Sequence, residues 1–286
     1  MASLKIIRKR IISVKSTQKI TKAMKMVSAA KLRRAQEAAT AARPYADKLT
    51  ALLQNVAARV GTAEHPLLQT RSGDAGVHVL VVTGDRGLCG GYNANLIRKA
   101  EAFLQEHGRD RARLTIVGRR GFDYFKKRNV TIADKHINLF GGPTSELAGA
   151  IGERLAREFA DGASDGVYLV YSQFRSALVQ VPTVEQLLPI APGATTDAAA
   201  LDYLYEPDAS LLLDRLLRQY IAVLIHRAFL EAAASEHGAR MTAMDSATSN
   251  ASEMIDRLTL DMNRARQATI TKELMEIVGG AEALKG

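Results

Sequence analysis

The feature that most restricts this chain is where its helix breakers lie. All seven prolines fall between Pro44 and Pro207, and no glycine precedes Gly61. After Pro207 the glycines are Gly238, Gly279, Gly280 and Gly286. Aromatic residues follow the same rule, with none before Tyr45 and none after Phe229. Both flanks are therefore free to be long helices, while the middle is punctuated. The N-terminal flank spaces Ile7, Ile11, Val14, Met24 and Val27 at the helical period, with Gln18 and Thr21 filling the stripe. The C-terminal flank does the same with Leu213, Leu217, Tyr220 and Leu224, then Met241, Met244, Met254, Leu258 and Met262, and finally Ile270, Leu274 and Ile277.

Length decides what such helices can do. A helix over residues 208–278 would measure roughly 105 Å at the α-helical rise. A compact chain of this size has a radius of gyration near about 19 Å. The helix must project, and its apolar stripe needs a cover. The N-terminal helix, roughly 80 Å long if it runs to about residue 56, supplies one, which predicts an antiparallel coiled coil with imperfect heptads. Asp208 is placed to cap the long helix and Gly279-Gly280 to stop it. Gly238 should weaken it by about 1 kcal/mol relative to Ala and mark a bend.

The middle alternates. Apolar runs at 77–82, 114–117, 130–133 and 167–171 read as strands, and helical patterns at 95–107, 121–128 and 145–159 separate them. That order predicts an α/β layer with a mostly parallel sheet. Residues 178–190 add a strand and an irregular exit, and 191–202 has the composition of a linker. The expected fold is an α/β domain inserted into a long antiparallel α-helical coiled coil formed by the N- and C-terminal helices. Its parts are an N-terminal helix over 1–60, an α/β domain over 70–195 and a C-terminal helix over 207–286.

Charge is concentrated at one end. Twelve Lys and Arg precede Pro44 against one acid, Glu37, so the arm carries +11 while the whole chain carries +9. Three readings stand: a solvated helix face, a nucleic-acid-binding surface, or a shaft for an acidic protein socket. Against nucleic acid, no aromatic interleaves for stacking, and no helix-turn-helix or zinc site is visible. The one cysteine, Cys89, excludes an internal disulfide and suits a reducing compartment. No run reaches the ~18 apolar residues of a membrane span. The basic N-terminus lacks the apolar block of a secretory signal.

Residues 81–93, "VVTGDRGLCGGYN", resemble a phosphate-binding loop at first sight. They lack the Gly-Lys-Ser/Thr ending of a P-loop and the G-x-G-x-x-G spacing of a dinucleotide site. Four glycines still demand special backbone geometry or close approach. Arg86 stands near enough to lower the Cys89 pKa, but no His lies close by. Asp85 with Asp123, and Glu146 with Glu153, read as surface charges. His65, His78, His107, His136, His226 and His237 show no metal spacing. No catalytic residue, cofactor site or metal site is expected.

Three blocks carry a resemblance over essentially the whole chain: "STQKITKAMKMVSAAKLRRAQ" at 16–36, "DRGLCGGYNANL" at 85–96, and "NRARQATITKELMEIVGGAEA" at 263–283. The last holds Ile270, Thr271, Glu273, Glu276, Gly280, Ala281 and Ala283. "VQVPTVEQLLP" and "DYLYEPD" add to the match. The chain resembles the gamma subunit of F-type ATP synthase, of the bacterial type. The resemblance implies a non-catalytic rotor shaft. Its coiled coil sits inside a ring of alpha and beta subunits, and its α/β foot sits against the epsilon subunit and the membrane c-subunit ring. It implies peripheral attachment at the cytoplasmic face of a bacterial membrane, with no insertion into the bilayer and no nucleic acid. Met24, Lys25, Arg240, Gln267, Thr271 and Glu273 would make coupling contacts. Gly87, Cys89, Gly90, Gly91 and Tyr205 would belong to foot-domain loops. The last turns, about 270–278, would enter an apolar sleeve. The alternative is a basic coiled-coil nucleic-acid-binding protein.

Overall fold

The computed structural model describes residues 4–60, 65–71, 73, 75–138, 144–190 and 209–283. The element order is α1 (Leu4–Val60), β1 (Val77–Val82), α2 (Tyr92–Glu106), β2 (Arg113–Val117), α3 (Arg119–Phe125), β3 (Thr131–His136), α4 (Thr144–Ala160), β4 (Gly166–Phe174), β5 (Gln180–Leu188) and α5 (Ala209–Ala283). The chain divides into two compact units, one of residues 1–27 with 241–286 and one of residues 28–240.

In the larger unit the strands form one sheet in the order β3-β2-β1-β4-β5. The first four are parallel and β5 runs antiparallel to β4. β1 reads VHVLVV and is buried along its whole length, because a central parallel strand is covered on both faces. Val77, Val79 and Val81 pack with Leu96, Phe103 and Leu104 of α2 and Phe125 of α3. Leu80 and Val82 pack with Ile151, Leu155 and Phe159 of α4, Leu217, Ile221 and Phe229 of α5, and Leu49 and Leu53 of α1. β3 lies at the edge, and its alternating polar sequence fits one exposed and one half-covered face. It runs three residues further than the apolar run 130–133 suggests. Pro44 sits inside α1 without ending it. An interior proline costs about 3 kcal/mol, and the burial of Leu49 and Leu53 just beyond it offsets this.

In the smaller unit the terminal segments run antiparallel. The Thr21 and Thr248 hydroxyls are 2.7 Å apart, and Lys25 Nζ lies 2.5 Å from Asp245 Oδ1. Among the covered positions, which also include Met24, Ala247 and Thr259, the members of one regular set follow a heptad. On α1 they are Leu4, Ile7, Ile11, Val14, Gln18, Thr21 and Lys25, continuing in the larger unit through Ser28, Leu32, Ala35, Ala39, Ala42, Ala46, Leu49 and Leu53. On α5 they are Met244, Thr248, Ala251, Ile255, Leu258, Met262 and Ala265. The seam is thus more regular than the apolar pattern indicates. Gln18, Thr21, Lys25 and Ser28 occupy it as polar residues. Met254, counted above as part of the stripe, is exposed, and Ile255 takes its place.

Two expected punctuation marks behave differently. α5 continues through Gly279 and Gly280 to Ala283. A glycine costs a helix only about 1 kcal/mol, and nothing stands within 4 Å of either to impose a turn. Gly238 lies within unbroken helix. A Cβ there would sit 3.3 Å from Ala177 Cα and 3.4 Å from Phe174, so the missing side chain admits the β4–β5 hairpin. Asp208 and the linker at 191–202 lie outside the described residues.

Candidate functional site

The glycine-rich loop joins β1 to α2 and is held by hydrogen bonds within its own chain. Gly84 N–H donates to Asn93 Oδ1 at 2.9 Å, and Tyr92 N–H to the Cys89 carbonyl at 3.2 Å. Asp85 Oδ1 accepts the backbone N–H groups of Arg119 and Asn138, both at 2.9 Å. Thr83 Oγ1 donates to the Val117 carbonyl and accepts the Gly121 N–H. Gly90 has φ +56°, which suits glycine. Leu88 has φ +62° and is 63% exposed, a strained apolar residue held outward at the loop tip.

Cys89 points inward and is 2% exposed, with Asn93 Nδ2 3.1 Å from its sulfur. Burial pushes the thiol up, and the guanidinium that opposes this belongs to Arg240 rather than Arg86. Asp123 pairs with Lys126, and Glu153 with Arg218 and Arg157. Among the described residues no group of three or more His, Cys, Asp and Glu is placed to hold a metal ion. A cleft of about 540 Å³ beside α1, α4 and α5 is lined by Ala39, Ala42, Ala46, Val223 and Leu230, with His226 and Glu231 at its side.

Arg240 meets the same loop from α5. Its Nη2 donates to Glu236 Oε1 at 2.5 Å, and its Nε and Nη2 donate to the Gly87 carbonyl at 3.3 Å. The Arg240 and Glu236 side chains are 8% and 7% exposed. Burial pushes the Glu236 carboxyl up, against the pull of Arg240. One turn earlier, Tyr92 Oη donates to the Ala232 carbonyl at 3.1 Å, and Ser235 Oγ to the Ser172 carbonyl at 3.0 Å. Gly84 faces Glu236 so closely that a Cβ would lie 2.9 Å from its carboxyl.

The remaining coupling candidates are in the smaller unit. Met24 and Lys25 are half-buried at the seam, with Lys25 bound to Asp245. Gln267, Thr271 and Glu273 lie on the last turns of α5, where every residue from 266 to 281 is exposed. Carrying the Thr21–Thr248 register back to Leu4 reaches Ala265, so exposure begins where the described part of α1 ends. Ile270, Leu274, Met275, Ile277 and Val278 are all solvent-facing there. Arg240 and Gly87 are thus brought together, whereas Gln267, Thr271 and Glu273 form a separate surface. Tyr205 lies outside the described residues. Glu236, Asp245 and Asn93 were not singled out from sequence. The four-residue spacing of Glu236 and Arg240 was the one signal that could have marked that pair.

This arrangement holds a long helix rather than a substrate, and comparison with known proteins agrees. A family model described as ATP synthase matches residues 3–284. The ATP synthase gamma chain of Geotalea uraniireducens is 50% identical over 289 residues, covering 100% of both chains. The chain belongs to the ATP synthase gamma-chain family. The gamma chain of Geobacter metallireducens is 51% identical over 293 residues and that of Pelotomaculum thermopropionicum 50% over 286, each again covering 100% of both chains. Among solved structures, the Euglena gracilis mitochondrial ATP synthase contains a chain that matches with TM-score 0.68 at 20% identity, over 98% of this chain and 94% of that one. A Tetrahymena thermophila mitochondrial central stalk gives TM-score 0.62 at 24%, over 80% and 99%. These two likenesses show the fold.

As a gamma chain this is a central-stalk rotor subunit and not the catalytic one. Nothing in the comparisons supports the nucleic-acid alternative. No helix among the described residues is long and apolar enough to cross a membrane.

Proposed function

We propose that the coiled coil of this chain turns inside a ring of alternating alpha and beta subunits. Its α/β part docks on the epsilon subunit and the membrane c-subunit ring, at the cytoplasmic face of a bacterial membrane. Ion flow turns the ring and shaft together. The uneven faces of the shaft then drive each beta subunit in turn through open and closed states. The observation that carries this reading is the end of α5. Sixteen successive residues, 266–281, are exposed, and they include Ile270, Leu274, Ile277 and Val278. An apolar helix end of that length calls for a cover on another chain, and an apolar sleeve would provide it.

The contacts along the shaft have to be weak enough to be left and remade. Of the arm's twelve cations, Lys25 and Arg33 have ion pairs among the described residues, and both are solvated. Exposed pairs are worth about 0–1 kcal/mol, so several can hold an orientation of the shaft against acidic beta segments without locking it. Met24 is half-covered and adaptable, which suits a surface that meets three partners. Gln267, Thr271 and Glu273 contribute polar contacts further along, while Arg240 acts from inside its own chain. At the foot, Leu88 offers a fixed apolar side chain to a neighbour, and Gly87, Gly90 and Gly91 hold the loop that presents it. The Met24→Lys variant tests the coupling surface. Lower ion pumping per ATP hydrolysed is expected, and a ratio equal to wild type would remove Met24 from it.

A further inference from the structure

We propose that the glycine loop is a clasp that fixes the rotational setting of α5 against the α/β layer. Arg240, Glu236 and the Gly87 carbonyl form its lock. This rests on the rotor reading, and it assigns the loop a mechanical role.

A long helix lying on a sheet by an apolar stripe alone can roll, because apolar contact is non-directional. Hydrogen bonds are directional, and α5 makes them on one side over about two turns. Ala232 accepts from Tyr92, Ser235 donates to Ser172, and Arg240, paired with Glu236, donates to the Gly87 carbonyl. Two guanidinium nitrogens share one carbonyl, so the lock resists both turning and sliding. Gly84 and Gly238 have no side chain where α5 comes nearest, at the Glu236 carboxyl and at Ala177.

A buried ion pair is a poor means of stabilisation, since desolvation consumes most of its Coulombic gain, and its best-attested use is to fix register. Here the pair involves residue 240, the last residue of the larger unit, from which α5 continues unbroken. A rotor chain transmits torque along that helix. A lock at this point would pass rotation of the α/β layer to the helix without slip.

The only cysteine of the chain reports on the lock. Cys89 is buried beside Arg240 and Glu236, whose charges both act on its thiol. In the full chain, maleimide labelling followed by mass analysis of the Cys89 peptide measures how often the loop opens. Arg240→Met and Glu236→Gln should each raise the labelling rate about tenfold or more, with helix content by circular dichroism unchanged. Arg240→Lys keeps the charge but loses the second donor, and should fall between. In the assembled complex, ions pumped per ATP hydrolysed should drop for Arg240→Met, and adding Glu236→Gln should cost nothing further, since both break one device. Gly84→Ala, which pushes on Glu236 from the loop side, should reproduce the loss if Arg240→Met folds poorly. Unchanged labelling would overturn the clasp. So would faster labelling with a wild-type pumping ratio, which would leave the pair a purely structural role. Failure of the wild-type chain to join a complex would instead count against the rotor reading, while the labelling result would stand.

Discussion

His78 makes the larger unit sensitive to acid in a way that can be worked through. It sits on β1 at 1% exposure. Its Nδ1 lies 3.0 Å from Glu158 Oε2, and its Nε2 2.8 Å from Thr115 Oγ1. Thr115 Oγ1 accepts from Arg154 Nη2, which leaves the threonine proton for His78 Nε2 and fits a neutral imidazole protonated at Nδ1. Burial pushes His78 down to about 4, with Arg113 and Arg154 helping and Glu158 opposing. In the unfolded chain the imidazole titrates near about 6.5. Between these values the unfolded state binds a proton that the folded state refuses. The stabilisation is therefore complete above the unfolded pKa and is lost as pH falls toward the folded one. The loss totals about 3 kcal/mol, of which about 1.4 kcal/mol falls between about pH 7.5 and about pH 5.5. The assay is urea unfolding of the full chain across this range, for wild type and His78→Gln. The variant should lose the slope assigned to His78. His237, also pushed down to about 4 by burial and Arg240, acts in the same direction in both chains and cancels in the difference. Equal pH slopes in the two chains would refute the reasoning.

Three further outcomes are expected. Gly118→Ala should cost more than about 3 kcal/mol in chemical denaturation, because φ is +98° and the new Cβ would stand 2.1 Å from the Thr83 carbonyl oxygen. Reversing the Lys25–Asp245 pair in Lys25→Asp/Asp245→Lys should recover most of the loss caused by either single change. The coupling energy in a double-mutant cycle should be no more than about 1 kcal/mol, since both side chains are solvated. Ile277→Asp should leave the unfolding of the isolated chain within about 0.5 kcal/mol of wild type, because the residue is exposed. It should nonetheless weaken assembly with the hexamer, measured by co-purification.

What the sequence disclosed and what it hid follow from the same physics. β1 was legible because a strand covered on both faces must be apolar throughout. The long helices were legible because breakers are missing from them. The heptad was not, because Gln18, Thr21, Lys25 and Ser28 hold seam positions where apolar residues are looked for, while Met254 and Leu260 lie outside the seam. β3 looked short because an edge strand keeps polar residues. The end of α5 was misplaced because a glycine pair only permits a turn, and nothing packs there to require one. At the loop, spacing argued against a phosphate site. Its meeting with Arg240 spans 153 residues and leaves no local trace. Arg240 was expected to face a partner, and its burial against Glu236 is a tertiary fact.

The central claim is that this chain turns as the shaft of a coupled ATP synthase. Its most direct test is reconstitution of a complex lacking its gamma chain, in vesicles, with ATP-driven ion uptake as the readout. Adding the chain should restore uptake, and a chain truncated after Ala265 should bind but pump poorly. Uptake that stays at the background of the gamma-less complex, with the chain remaining free in solution, would contradict the account.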